Sequence, residues 1–438
     1  HMDIRPEQIT IISARSSGQD IAAEYGVDFH LLMITPDNYR AFLDPLLGEH
    51  DFLLNLSVDI SCRDLIDLCH EKNALYLDTA TEVWPHEANH HSLAEKRTNY
   101  ALRETVLACA RSGTTAVITH GANPGLVSHF VKQALLNIAA DCEQEVHFSG
   151  VESDWAQLAE ALTIKTIQVA EFDSQVSRAP KKPEEFVNTW SVDGLIIEGM
   201  QPAEIGWGTH ERHWPADAKK HTHGPCCALY LDKPSASVKV RTWTPLAGAF
   251  EGLLITHAES ISLAQFLSVN VNGATRYRPT VHYAYSPCPD AILSIQELEQ
   301  RQWMEQAAKR LIVDTVVSGI DELGVLLLGH PKGAYWFGSQ LSIEEACKLA
   351  PHNNATTMQV AAAVLGGMIW AIENPDRGIV EPEAMDYERV LAIARPYLGT
   401  LAGYYSNWTP LQNRDSSSDE TMDSSDPWQF RNIRVHED

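Results

Sequence analysis

The sequence predicts an α/β protein in two parts, a doubly wound parallel sheet followed by an α+β domain on a mixed sheet. Three observations carry this. Up to about residue 140, short β-rich runs alternate with segments of helical period, as parallel βαβ units do. Beyond residue 164 the strand candidates become longer and more closely spaced, which fits an antiparallel or mixed sheet. With 438 residues and 44% hydrophobic content, the chain can also bury two or three substantial cores.

In chain order, residues 8–12, 51–55, 74–77 and 115–118 are the strands of the first sheet, with helices at 62–72 and 96–111. In the second domain the expected strands are 164–170, 195–198, 228–231, 238–243 and 252–257. Helical patterns return at 295–312 and 356–373, the latter stopped by Asn374-Pro375. Residues 414–426 are acidic, serine-rich and without apolar periodicity, so a disordered tail is expected there. No run looks apolar enough to cross a membrane, and no internal repeat is visible.

The formal charge of −25 argues against a nucleic-acid partner, because phosphate recognition needs clustered Lys and Arg; it would instead draw polycations. The eight cysteines are scattered, with no CxxC pair and no signal peptide ahead of them. They read as reduced thiols of a cytoplasmic protein. His86-Glu87-Ala88-Asn89-His90 matches H-E-x-x-H, the pattern that sets two zinc ligands on one helical face. Pro85 puts it at a helix start or in a loop, and no third-ligand pattern follows. The histidines are therefore expected on a solvated face. His221-Thr222-His223 beside Cys226-Cys227 likewise reads as loop chemistry, and no metal is expected.

The stretch Glu184-Glu185-Phe186-Val187-Asn188-Thr189-Trp190-Ser191, continuing through Glu198-Gly199-Met200 and Ile205-Gly206-Trp207-Gly208-Thr209-His210-Glu211 to Arg241-Thr242-Trp243, sets carboxylates and indoles at close intervals. Organic cations suit such a setting, since a carboxylate neutralises an ammonium and an indole face attracts it. On this stretch, and on Asp321-Glu322-Leu323-Gly324, Ala334-Tyr335-Trp336-Phe337-Gly338-Ser339 and Gly403-Tyr404-Tyr405 with Trp408-Thr409-Pro410, the chain resembles bacterial-type homospermidine synthases, NAD-dependent enzymes that make a triamine from two diamines. The resemblance runs from about Asp3 into the acidic tail. It implies a Rossmann-like NAD-binding domain at 1–145, a catalytic and dimerisation domain at 146–355, helices at 356–413 that pack back on the nucleotide domain, a tail at 414–438, and a homodimer.

A dinucleotide-binding sheet opens with strand, G-x-G-x-x-G and helix, so that the backbone can approach the pyrophosphate. This chain has no such fingerprint. His1-Met2-Asp3-Ile4 would align with the end of the first helix in the resembled family, which makes the strand at residues 8–12 the second. The expectation is a fragment lacking roughly thirty residues with the first strand and glycine turn. A cloning remnant on a shortened chain, or loss of the nucleotide site, are the alternatives. Ser13-Ala14-Arg15-Ser16-Ser17 brings no acid for the adenosine ribose, so NAD against NADP stays open; Arg15 would accept a 2′-phosphate, or is an exposed loop arginine. Ser13, Asn55, Ser57, Thr79 and Asn123, at strand C-termini, are the expected cofactor contacts.

The resemblance also implies the substrate residues. Trp190 would stabilise a cationic intermediate, Glu171 and Glu198 would hold the inner ammonium, and Asn123, Glu82 and Asp321 would lie near the nicotinamide or the distal amine. His257, after an apolar strand, is the candidate for proton transfer by a group titrating near neutrality. Each has a plainer reading as a turn, cap or exposed strand-end residue. A saccharopine-dehydrogenase-like reductase and a homologue without a nucleotide site remain as other readings. Against the reductase, residues 190–211 offer no arginine for a substrate carboxylate.

Overall fold

The computed structural model describes residues 4–87, 94–108, 112–146, 148–149, 151–414 and 421–435. Strand Thr10–Ser13 pairs in parallel with Asp28–Leu31 across the helix Gln19–Tyr25. Phe52–Asn55, Leu75–Asp78, Ala116–Val117 and the late Ile379–Val380 form a second parallel sheet in that spatial order. Ile12 of the first sheet packs on the core that Leu65, Ile66, Leu68 and Tyr76 build. Helix Cys62–Lys72 is set by local chemistry at both ends. The Ser61 hydroxyl accepts the Asp64 amide, and Asn73 closes the helix in the left-handed region. The helix expected at 96–111 is a 3-10 turn, Ala94–Arg97, and then Asn99–Leu107 begun by the Thr98 hydroxyl cap.

The second domain is a ten-stranded mixed sheet. Its central strand, Thr166–Asp173, runs parallel to Thr280–Ser286 on one side and antiparallel to Ile320–Leu328 on the other. Ala334–Ser342 and Thr400–Ser406 continue it outward. One face carries Ile167, Val169, Tyr283, Tyr285 and Leu323 against helix Leu126–Asp141. On the other, Ala170, Leu326, Trp336 and Trp408 form a separate cluster with Trp243.

Several expectations are corrected. Residues 195–198 are helical, inside Val192–Met200; the Ser191 hydroxyl caps that helix at the Gly194 amide, and a short apolar run alone does not separate strand from helix. The strand expected at 252–257 is Gly248–Leu253, so His257 lies beyond the ladder in a loop. The long helix at 295–312 is Pro289–Gln300, followed by a strand Ala308–Leu311 that pairs with Glu185–Asn188. The strand at 164–170 is Thr166–Asp173, which places Glu171 within it. Residues 421–426 are folded: Asp423 and Asp426 bond to Asn432 and Gln429, and Phe430 enters the core with Ile205 and Leu229. Residues 415–420 of that expected tail lie outside the described residues.

Helix Ala355–Glu373 is, by length and composition, apolar enough to cross a membrane, contrary to the expectation that no run would be. Its apolarity has a local cause. Val364, Trp370 and Ala371 pack against Leu77 and Val117 of the parallel sheet, while Ala362 and Ala363 join the core of the second domain. A helix buried on both sides is hydrophobic nearly all round.

The first domain hands over to the second at the turn 121–125. The Gly121 amide donates to the Pro124 carbonyl at 2.7 Å, and Gly125 has φ +124°. A Cβ there would sit 2.3 Å from the Gly121 oxygen. Gly125→Ala should therefore cost about 2 kcal/mol or more, seen as a lower denaturation midpoint. An unchanged midpoint would show that the turn relaxes freely.

Candidate active site

Alternation along the central strand puts Glu171 and Asp173 on one face. In register, Tyr285 lies opposite Glu171 on one neighbouring strand and Asp321 opposite Asp173 on the other. One patch of sheet thus gathers three carboxyls. Glu171, 2% exposed, accepts the Tyr283 hydroxyl at 2.5 Å and the Asn123 amide at 2.8 Å. Burial pushes its carboxyl up to about 7. Asp173 accepts the Thr189 hydroxyl at 2.7 Å and the Gln175 amide at 2.8 Å, and burial pushes it up to about 6. Asp321 accepts the Thr356 hydroxyl at 2.5 Å and leaves its other oxygen unpartnered. Burial first, then the charges of Glu171 and Asp173, push it well above the carboxylate range.

His257 is held from both sides, by Glu259 at Nδ1 and by Glu198 at Nε2, each at 3.1 Å. Burial by itself lowers an imidazole, but the two carboxylates outweigh it and raise His257 to about 10. The expected group titrating near neutrality is therefore not this histidine, which stays an imidazolium at neutral pH. Glu171 has that property instead. The His257 ring lies 4.4 Å from the Tyr283 ring, which stacks at 5.2 Å on Tyr285. Trp190, half-buried, donates its indole N–H to the Tyr285 hydroxyl at 3.0 Å. Glu198 comes from a helix and not from the expected strand end, yet it still reaches the patch through His257.

From the nucleotide side, Glu82 follows strand Leu75–Asp78 and accepts the Asp59 amide at 3.2 Å. Burial raises it to about 8, with the charges of Asp59, Glu198 and Asp78 adding to the effect. Glu82 and Glu198 thus feel each other across the two domains. Ser57 is exposed and Thr79 half-exposed at the C-terminal ends of parallel strands, Thr79 packed beside Gly121. Asn55 is buried and committed to its own turn, donating to the Tyr76 hydroxyl and accepting the Ser57 amide. The Ser13 hydroxyl accepts the Arg15 amide, and the Arg15 guanidinium pairs with Asp193 at 2.5 Å.

Sequence reasoning missed Asp173, Tyr283, Tyr285 and Glu259. The period-two pairs Glu171/Asp173 and Tyr283/Tyr285 were the available signal, since such pairs share a strand face. Of the H-E-x-x-H pattern, His86 and Glu87 are exposed and residues 88–93 lie outside the described residues. Among the described residues no group of three His, Cys, Asp or Glu could hold a metal ion.

The folded-state values of Glu171 and Asp173 lie above those of an unfolded chain, so these groups favour the fold most below about pH 4 and progressively less as pH rises through 6 and 7. Glu171→Gln cannot ionise. Its denaturation midpoint should approach that of the unaltered protein at pH 5 and exceed it at pH 8. A gap that shrinks with rising pH would contradict the raised value.

The described Saccharopine dehydrogenase NADP binding domain matches residues 1–119, and the Saccharopine dehydrogenase C-terminal domain matches residues 121–406. The chain is 47% identical to a homospermidine synthase of Mesorhizobium japonicum, over 99% of this chain and 92% of that protein. It is 48% identical to one of Blastochloris viridis, over 100% of this chain and 93% of that protein. A crystal structure of the homospermidine synthase of Legionella pneumophila in complex with NAD is 55% identical and superposes with a TM-score of 0.93, over 99% of this chain and 93% of that one. With a two-domain fold, a carboxyl-rich site and full-length identity in agreement, the chain belongs to the homospermidine synthase family.

Proposed function

We propose that this protein makes homospermidine from two putrescine molecules with release of ammonia, or from putrescine and spermidine, in which case the three-carbon diamine of spermidine leaves in place of ammonia. The observation that carries the reading is the buried patch of Glu171, Asp173 and Asp321 beside Trp190. Among the described residues no Lys or Arg bonds to these three carboxyls, so the patch is open to a ligand whose ammonium groups would favour their ionised forms. An amino-acid reductase would need the opposite arrangement, cations awaiting carboxylates.

Two diamines become one triamine and one ammonia, with no net change of oxidation state. NAD, when bound, supplies the transient acceptance and return of two electrons that lets one C–N bond be exchanged for another. Ser13, Ser57 and Thr79 would hold it, and their placement at the open ends of parallel strands fits such a group. The pairing of Arg15 with Asp193 occupies the one loop cation expected to meet a 2′-phosphate, which supports NAD over NADP. The family resemblance alone supports a homodimer and a cytoplasmic location.

The chain's own groups divide the work. Glu171, at about 7, exists in both forms at neutral pH and can take a proton from a substrate ammonium and return it. Tyr283 and Asn123 aim its oxygens. Asp173, at about 6, is mostly ionised at neutral pH and holds the charged end of the diamine, and Asp321 adds its unpartnered oxygen as an acceptor. The His257 imidazolium has both N–H groups bonded, to Glu259 and Glu198, and would pass a proton toward departing ammonia through Glu198, the more exposed of the two. Trp190 offers its face to the cationic carbon–nitrogen centre that forms between the two additions.

Incubation with putrescine deuterated at its aminomethyl carbons and catalytic NAD should give homospermidine that retains the label, one ammonia per triamine and no accumulating NADH. Stoichiometric NADH without triamine would indicate an amine dehydrogenase instead.

At Trp190, turnover should fall in the order Trp, Phe, Leu, Lys, while thermal stability differs little between Phe and Leu. A lost cation–π contact of about 1–2 kcal/mol corresponds to roughly five- to thirtyfold in rate. Tyr285→Phe, which removes the hydrogen bond and keeps the indole, controls for positioning. Equal activity of the Phe and Leu variants would reduce Trp190 to packing.

A further inference from the structure

Glu204 is a carboxylate that the reading above does not use, and its surroundings are unusual. It lies in strand Pro202–Gly206, fully buried. It accepts the amides of Asn99 at 2.6 Å and Tyr100 at 3.0 Å, the first two residues of helix Asn99–Leu107. It also accepts the hydroxyl of Thr256 at 2.7 Å. Asn99 closes the arrangement by donating its side-chain amide to the same hydroxyl at 3.2 Å. The far end of that helix is anchored elsewhere, because Val106 and Leu107 pack with Ile66 and Tyr76 beside the parallel sheet. Thr256 immediately precedes His257. A single buried carboxylate therefore ties a helix of the nucleotide domain to the loop that carries the imidazolium.

We propose that Glu204 is a positioning residue: through Thr256 it fixes the His257 loop against the nucleotide-domain helix, so that His257 stays aligned between Glu198 and Glu259. The kinetic part rests on the function proposed above; the geometric part does not. The arrangement is more than packing. A carboxylate accepting two amides at a helix N-terminus is favoured by the helix dipole as well as by the bonds, and burial raises Glu204 to about 7. Among the described residues His221 also faces it, 4.0 Å away, lowered to about 4 by burial and stacked on Tyr100. His221 is neutral at physiological pH and does not compete for the carboxylate.

The loop that depends on this tie faces titratable groups from every neighbouring element. Glu198 comes from helix Val192–Met200, Glu259 from helix Glu259–Phe266, and Tyr283 from strand Thr280–Ser286, with Glu171 behind Tyr283. His257 keeps its charge only while both carboxylates are in register with its two nitrogens. A loop free to shift by a fraction of an ångström relaxes that balance toward burial, which favours the neutral ring.

Thr256→Val deletes the hydroxyl with little change of shape and leaves the Glu204 contacts to the helix in place; Thr256→Ser retains the hydroxyl. Glu204→Gln changes the carboxylate itself. The first readout is the imidazole titration of His257 by NMR, assigned by difference from a His257→Asn sample, which needs no turnover. Thr256→Val and Glu204→Gln should lower the His257 titration midpoint, and Thr256→Ser should restore it. In the amine reaction, Thr256→Val should lose roughly 10- to 100-fold in kcat, with the KM for putrescine nearly unchanged. A His257 titration in Thr256→Val identical to that of the unaltered protein overturns the proposal, as does a kcat loss that only follows the fall in melting temperature. If the unaltered protein makes no triamine, the proposed function fails, while the NMR titration still decides the role of Glu204.

Discussion

The structure depends on keeping several carboxyl groups out of water in one place. An isolated ionised carboxylate transferred to an apolar interior is very costly, and a chain meets the cost by neutralising the group, pairing it or surrounding it with donors. All three appear here. Glu171 and Asp173 hold their protons to near-neutral pH and take hydroxyl and amide donors. Glu198 and Glu259 keep a charged His257 between them. Asp321 retains an oxygen without a partner. Such half-met needs are what a dicationic ligand can answer, and they explain why the central strand, buried on both faces, carries acids at all.

The same constraint shapes the seam between domains. Helix Ala355–Glu373 is apolar because it is wedged between two cores, and strand Ile379–Val380 just after it completes the parallel sheet. Close by, the turn 121–125 delivers Asn123 to Glu171. The nucleotide half and the amine half are therefore held by covalent crossings and polar contacts together.

How much of this was legible in the sequence depended on range. Helix Cys62–Lys72 was readable because its caps and apolar period lie within a dozen residues, and alternation marked the α/β class. Residues 195–198 were misread because a four-residue apolar run carries no period, and the deciding signal, the Ser191 cap, lay outside it. Trp190, Glu171, Asn123 and His257 were reached through family motifs. What the sequence could not give was pairing at a distance. Glu198 meets His257 across 59 residues and Asn123 meets Glu171 across 48, so the protonation state of His257, set by two remote acids, could not be inferred from either neighbourhood alone. The acidic tail shows the converse: its composition suggests disorder, yet Phe430 anchors the chain just beyond it.

The bond from the Trp190 indole to the Tyr285 hydroxyl has an electronic consequence. Donating an N–H to an oxygen shifts electron density from that bond toward the ring, and cooperative polarisation of this kind is stronger in a low-dielectric interior. The face that would meet a cation is thus made more electron-rich by a partner that touches only its edge. The same bond keeps the ring plane from rotating when no ligand is there, so little orientational freedom remains to be lost when a cation arrives. Tyr285, in turn anchored by its stack on Tyr283, joins the acid–base side of the site to its aromatic side without carrying a charge of its own.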